Sequence, residues 1–250
     1  MTFLVGIDDT DTLDTPGTNH LARLIASRLP EGFRCRSILR HQLFFDPRVP
    51  YTSHNGSASL RIETDGWADD QADVQARAFD QIVACFRREM RDWFVPGSDP
   101  GLCVTSLPVP DSIHAYALRC QHEVIKQTEA RELAAREGLF LEGLGGTEDG
   151  VIGALAAVGH ASGGNDGRVI HLDGWKLEDP LRGLVALPQI LAEGVDEVRE
   201  RATGLAVTTG WVELRKKLRP NMVQGRVVLF VEAAESDATP SPLWRALKVT

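Results

Sequence analysis

VGIDDTDTLDTPGT, residues 5–18, places four aspartates (Asp8, Asp9, Asp11 and Asp14) within seven positions directly after an apolar run. The residues before them, TFLVGID, read as a short buried strand ended by glycine and acids. Those after them, TNHLARLIASRLP, put Leu21, Leu24, Ile25 and Leu29 on one helical face. Pro30 stops that helix, and Thr18 or Thr15 is its candidate N-cap. Strand, acidic loop and helix together open an α/β unit whose loop leaves the carboxyl end of a strand, where open α/β sheets place ligands.

The chemistry of the loop stays open on spacing alone. Asp8, Asp9 and Asp11 suit a magnesium ion, which takes one or two carboxylates plus substrate phosphates and waters, with the Thr10 and Thr12 hydroxyls close by. A calcium loop of the helix-loop-helix type fits poorly, because its glycine and closing glutamate are missing. Helix capping and tight turns are the third use of such residues, although four carboxylates so close repel one another.

Composition sets the frame. The chain has 250 residues, 43% hydrophobic and 25% charged, with a formal net charge of −8. That is ordinary for a globular protein with a real core and enough length for two lobes. A net acidic chain is a poor lone partner for long nucleic acid, since neutralised phosphates dominate that affinity. ELRKKLR at 213–219 is the one local basic run, readable as a solvated face or as an anion patch. Cys35, Cys85, Cys103 and Cys120 form no C-x-x-C pair, so reduced, buried thiols are expected, in keeping with a cytoplasmic setting. No stretch reaches the roughly 18 apolar residues of a membrane span.

Along the chain, FRCRSILRHQLFF and SASLRIET read as strands around the turn-rich loop DPRVPYTSHNGS. An amphipathic helix follows, acidic at its start and basic at its end. VPGSDPG at 95–101 is the clearest linker signal, and it divides an expected lobe 1–97 from a second lobe 98–250. LCVTSLP reads as a strand, HEVIKQTEARELAAREG as a helix closed by Gly138, LFLEGLGG as a strand and DGVIGALAAVGH as a small-residue helix. GRVIHLD is a further strand, and GRVVLFVEAA at 225–234 is the strongest strand candidate. If unpaired, 226–233 offers an edge for a homodimer.

Two more segments carry candidate chemistry. In YTSHNGSAS, 51–59, His54 is a candidate acid or base, and Asn55 with Gly56 is both a turn signal and a polar lining. GLGGTEDGVIGALAA, 143–157, lets a glycine-rich chain enter a helix at Gly150 and Gly153, which suits either an anion or close helix packing. It lacks G-x-x-x-x-G-K-[ST], so no P-loop is present. Arg48 and Arg61 are the basic side chains that could complete a phosphate clamp, and spacing does not choose between them.

GIDDTDT with GTNHLA, DPRVPYTSHNGSASLRI, SDPGL and DGVIGALAAVG, taken in that order, resemble segments of the archaeal agmatinylcytidine synthetases that modify a minor isoleucine tRNA. The likeness runs in blocks from about residue 3 to about residue 160. It implies a P-loop-free kinase-like domain plus a ferredoxin-like domain, in an α/β (α+β) protein of two lobes. It also implies ATP and Mg2+ as cofactors, since the family uses ATP to activate a cytidine carbonyl oxygen that agmatine then displaces. Carried over by position, Asp8, Asp9 and Asp11 would handle the Mg-ATP phosphates, with Thr10 in the same motif. Asn55 and Gly56 would stand near the cleft, and Gly150 and Gly153 would open the glycine-entered helix. Asp149 stands where the family leads one to expect a basic residue.

The expectation is therefore a cytoplasmic Mg-ATP-dependent phosphotransferase or ATP-activated ligase. Asp8, Asp9, Asp11 and His54 are its catalytic candidates, and its acceptor is a small molecule. Two alternatives stand beside it: tRNA modification with a separate RNA-binding subunit, and a nucleotide-binding module without turnover.

Overall fold

A computed structural model describes residues 1–49, 55–65, 72–175, 181–215, 217–234 and 242–249. The chain divides into two compact units, Met1–Gly163 and Gly164–Thr250. The Pro/Gly-rich run 95–101 lies inside the first of them, as the connection into its fourth strand.

In the first unit the strands are β1 (Thr2–Asp8), β2 (Phe33–Arg40), β3 (Ala58–Thr64), β4 (Gly101–Ser106) and β5 (Phe140–Gly143). The helices are α1 (Thr18–Ala26), α2 (Ala72–Trp93), α3 (Asp111–Arg119), α4 (Gln127–Glu137) and α5 (Gly150–Gly163). The strands pair antiparallel in the order β5-β4-β1-β3-β2. From Thr2 to Ser106 the succession βαββαβ with β1 between β4 and β3 is the split βαβ arrangement of ferredoxin-like sheets. It fills the expected lobe 1–97 and runs past it, and α3, α4, β5 and α5 are added after it.

Central β1 is buried on both faces, which explains its unbroken apolar run. Alternation along β1 sends Phe3 toward α2, where its ring meets Phe79 at 6.3 Å. It sends Leu4 into a core shared with α3, α4 and α5. α5 itself is apolar almost all round, because it lies between the sheet and the helices α3 and α4. A Cβ at Gly6 would overlap the carbonyl of Ala154, and one at Gly159 that of Ile113. The small residues of α5 thus bring its backbone directly against β1 and α3.

The second unit contains β6 (Arg168–Leu172), β7 (Gly183–Ala186), α6 (Leu187–Ala192), β8 (Glu197–Glu200), β9 (Trp211–Leu214), β10 (Asn221–Val223), β11 (Arg226–Ala233) and β12 (Leu243–Ala246). Gln224 and Gly225, both at positive φ, join β10 to β11 in a tight hairpin. β11 is not an open edge: Val228 is registered with Asn221 and Glu197, and Val231 with Ala246 and Glu200. With both edges paired, this strand has no open edge for a second copy to pair with. ELRKKLR begins in β9, and its described residues after Leu214 belong to no helix. All four cysteines are buried and unlinked, as expected. No helix among the described residues is long and apolar enough to cross a membrane.

Candidate functional site

The carboxyl end of β1, the segment after α2 and the start of α5 are tied together by backbone. The Asp99 amide donates to the Asp9 carbonyl at 3.1 Å, and the Gly150 amide donates to the Asp99 carbonyl at 2.9 Å. The Asp99 carboxylate in turn accepts from the Thr147 amide. Gly101 and Gly150 meet so closely that a Cβ on either would overlap the backbone of the other segment. Asp9 sits in the left-handed region, at φ 54°, which few non-glycine residues adopt.

This junction forms one wall of a cavity of about 390 Å³, lined by Asp8, Asp9, Asp11, Asp99, Glu123 and Asp149, with Arg48 and Lys126 as the basic side chains among its described lining residues. The cations are partly spent. Arg48 holds Asp46 through two hydrogen bonds, at 2.7 and 2.9 Å. Among the acids, Glu123 is engaged by Arg119 at 2.8 Å. The other five lining acids are all aspartates, so acids outnumber the basic side chains of the described lining.

The strain of that arrangement shows in the acidities. Burial, with the Asp9 charge beside it, raises the Asp8 carboxyl well above the ordinary aspartate range. Burial and the neighbouring charges of Asp99, Asp11 and Asp149 raise Asp9 to about 6. Arg40, the last residue of β2 and only 8% exposed, works against this: its charge lowers the Asp8 value while burial lowers its own. Its Nη2 donates to Gln42 Oε1 at 2.9 Å, and Gln42 Nε2 donates to the Asn55 carbonyl at 2.6 Å. A Cβ at Gly56 would lie 2.7 Å from Arg40 Nη2, so glycine at 56 leaves room for the guanidinium.

Of the residues singled out by sequence, Asp8, Asp9, Asp11, Asn55, Gly56, Gly150 and Gly153 all line the one cavity. Asn55 fixes its loop there by donating from Nδ2 to the Phe44 carbonyl at 2.7 Å. Asp11 also serves the fold, since its Oδ1 accepts from the Thr18 amide at 3.1 Å and from Thr18 Oγ1 at 2.9 Å. It therefore caps α1 from seven residues away, and Gly17 occupies the N-cap position with no side chain to do so. Thr10 is buried and donates to Thr18 Oγ1, while the Thr12 amide donates to Thr15 Oγ1 in a turn. Neither threonine belongs to the cavity lining. His54 lies outside the described residues. Arg61 points away on β3, beside Glu63 at 3.3 Å.

Asp99, Asp149 and Arg40 complete the site and had no signal at short range. Asp99 reads as part of a Pro/Gly linker, and Asp149 as a helix-start acid. Arg40 ends a strand like any border residue. Sheet register brings Asp99 and Arg40 to Asp8 and Asp9, and the entry into α5 brings Asp149.

The donor set suits a hard cation in one particular way. Among the described residues no group of three or more His, Cys, Asp or Glu is arranged to hold a metal ion alone. Magnesium on one or two carboxylates, completed by substrate phosphates and water, fits what is present. α5 adds its amino-terminal dipole at Gly150, directed at the same space.

No protein-family model matches the chain. It is 26% identical over 164 residues to TiaS of Pyrococcus horikoshii, a 2-agmatinylcytidine synthetase of isoleucine tRNA, in a match over 64% of this chain and 36% of that protein. The TiaS of Thermococcus sibiricus is 24% identical over 163 residues, 62% of this chain and 34% of that one. Over that stretch the chain is similar in sequence to TiaS. A crystal structure of TiaS in complex with its isoleucine tRNA and ATP aligns with TM-score 0.52 and 22% identity, over 74% of this chain and 39% of that one. A tRNA fluorescent labeling enzyme aligns with TM-score 0.51 and 24% identity, over 74% and 39%. These likenesses establish a shared mixed α/β fold with TiaS. The chain spans about a third of the length of the curated TiaS proteins it matches.

Proposed function

We propose that the acidic cavity binds the phosphates of ATP through divalent cations, and that the bound ATP activates an acceptor in a ligase or transferase reaction. One observation carries this reading. Five aspartates meet in a cavity whose described lining holds two basic side chains, and burial with their mutual repulsion raises Asp9 to about 6. A site so negative repels a bare triphosphate, and it attracts one only as a cation complex. Magnesium, when bound, would neutralise phosphate charge and hold the triphosphate for attack.

The chain's own residues have separable parts. Asp8 and Asp9 offer the carboxylates, and Asp11 adds charge while it caps α1. Arg40 favours the charged form of Asp8 from behind, against the burial that raises its carboxyl, and the α5 amino terminus would face the phosphates. A P-loop is not needed, since phosphoryl chemistry depends chiefly on positioning and charge neutralisation. The relatives' printed activity, synthesis of agmatinylcytidine in an isoleucine tRNA, supports a nucleotide of RNA as the acceptor. A small-molecule acceptor is the second reading, supported by a cavity of about 390 Å³, the size of an ordinary small-molecule site.

Calorimetric titration of ATP with and without magnesium tests the proposal. Magnesium-dependent binding that Asp9→Asn abolishes is the expected result. Equal heats without magnesium, or unchanged binding by the variant, would overturn it. Phosphate release stimulated by tRNA, or by a small acceptor alone, then separates the two acceptors.

A further inference from the structure

The first unit holds a second recess that shares no described lining residue with the acidic cavity. Its volume is about 460 Å³, and it opens where the chain leaves β4 and enters α3, beside the end of α5. The connection 107–109, Leu-Pro-Val, forms its apolar side. Asp111 and His114 enter it from α3, and Gly163 from the last turn of α5.

Two side chains of this recess are electron-pair donors that nothing engages. Asp111 and His114 stand three residues apart on α3, so they share one face of the helix. His114 Nδ1 lies 3.0 Å from the Gly159 carbonyl oxygen. A carbonyl only accepts, so Nδ1 carries the proton and, in the neutral ring, Nε2 keeps its lone pair. Among the described residues neither that Nε2 nor the Asp111 carboxylate has a hydrogen-bond or ionic partner.

The ring is also fixed in direction. A Cβ at Gly163 would lie 2.1 Å from His114 Cε1 and 2.9 Å from Nε2, so the imidazole edge rests on α5 where glycine leaves room for it. Nδ1 is thereby held at Gly159 and Nε2 is turned toward the helix end. The last carbonyls of a helix have no partners within it and carry the negative end of its dipole, which favours a cation. Carboxylate, imidazole lone pair and helix carboxyl end therefore ask for the same sign of charge.

We propose that Asp111 and His114 bind a divalent first-row transition ion such as Ni2+ or Zn2+. An imidazole nitrogen suits these ions, whereas Mg2+ prefers oxygen alone, so this recess and the acidic cavity select different metals. The Gly159 carbonyl acts as outer hydrogen bonds do at metal-bound histidines, fixing both tautomer and ring orientation. Two protein donors are one fewer than the three of a catalytic zinc centre. Water or a small exogenous donor fills the remaining positions, and the recess has space for either. No part of this assignment depends on ATP binding elsewhere in the unit.

Calorimetric titration of Ni2+ into the whole chain, stripped of metal and held in excess Mg2+, tests it. The expected result is a binding event that excess Mg2+ does not displace and that Mn2+ reproduces at least tenfold more weakly. His114→Ala should weaken it at least tenfold, and Asp111→Asn should weaken it about fivefold or more. Gly163→Ala keeps both donors but drives a Cβ into the ring, and should also lose affinity. His122→Ala removes an exposed histidine outside the recess and should bind as the parent does. In a spectrum of 15N-labelled imidazoles, the first ring broadened by Ni2+ should be the one missing from His114→Ala. Thermal melts identify any variant that has lost its fold, and Asp111→Asn, at an exposed position, serves if His114→Ala has. A Ni2+ event indifferent to His114→Ala and Asp111→Asn would overturn the proposal, as would displacement by Mg2+. Equal losses in His122→Ala and His114→Ala would assign the heat to scattered surface histidines and overturn it too.

Discussion

Asp8 and Gly153 occupy one space: Asp8 Oδ2 stands where a Cβ on Gly153 would be. The carboxylate that ends the central strand is thus pressed onto the first turn of α5, and only a residue without a side chain lets it stay. Gly153→Ala should improve helix propensity by about 1 kcal/mol. It should nonetheless drive Asp8 out of position. The expected outcome is at least a tenfold loss of magnesium-dependent ATP affinity, with little fall in melting temperature, read by calorimetry and thermal melts of the same samples. Retained affinity would mean that Asp8 does not contact the cation.

Asp9 gives a pH dependence of defined sign. Its carboxyl titrates at about 6 in the folded chain, against about 3.9 when unfolded. Between those values the folded state holds the extra proton, so stability falls as pH rises from about 4 to about 6, and the deficit persists above. Asp9→Asn removes the charge and keeps the left-handed backbone, which asparagine tolerates. Without divalent cations the variant should be more stable than the parent at pH 7, by about 1–2 kcal/mol once partial solvent screening is allowed for. The two should converge near pH 4. Melts across this range in chelator check it, and a less stable variant at pH 7 would assign Asp9 a purely structural role.

Arg40 should be intolerant of replacement for a reason separate from binding. Its guanidinium is buried, faces the Asp8 charge and anchors Gln42, which holds the Asn55 loop. Arg40→Met leaves a buried carboxylate and Gln42 without their partner, at a cost of about 1–3 kcal/mol. Arg40→Lys should restore little, because a lysine ammonium cannot reproduce the fork directed at Gln42. Chemical denaturation measures both. Gly56→Ala should mimic them in part, since its Cβ would lie 2.7 Å from Arg40 Nη2.

Much of the first unit was legible because its signals are local. The apolar run of β1, the helical spacing of Leu21, Leu24 and Ile25, and Gly138 at φ 72° closing α4 each announce an element within a few residues. The acidic loop announced itself by its density of charge. What remained hidden depends on register. Asp99 reaches Asp9 only after β4 pairs with β1, and Arg40 reaches Asp8 only across β3. The run at 95–101 carries every composition mark of a linker, yet its glycine and aspartate are packed against α5. In the second unit β7 to β10 are three or four residues each, too short for a periodicity to show.

Gly6 and Gly153 separate packing from site along a single helix. Gly6 faces the carbonyl of Ala154, one residue beyond Gly153, and no carboxylate is involved there. Gly6→Ala must push α5 away from β1, against which its backbone lies directly, and overpacking of this kind costs about 1–3 kcal/mol or more. Its effect on ATP affinity should follow only from the altered position of α5, so a lowered melting temperature should accompany any loss. Gly153→Ala should show the reverse, with affinity lost at nearly full stability. Measuring both quantities for both variants tests whether α5 serves the cavity and the core through different residues. If the two variants behave alike, the glycines at this interface are packing devices throughout, and the contact between Asp8 and Gly153 has no bearing on a ligand.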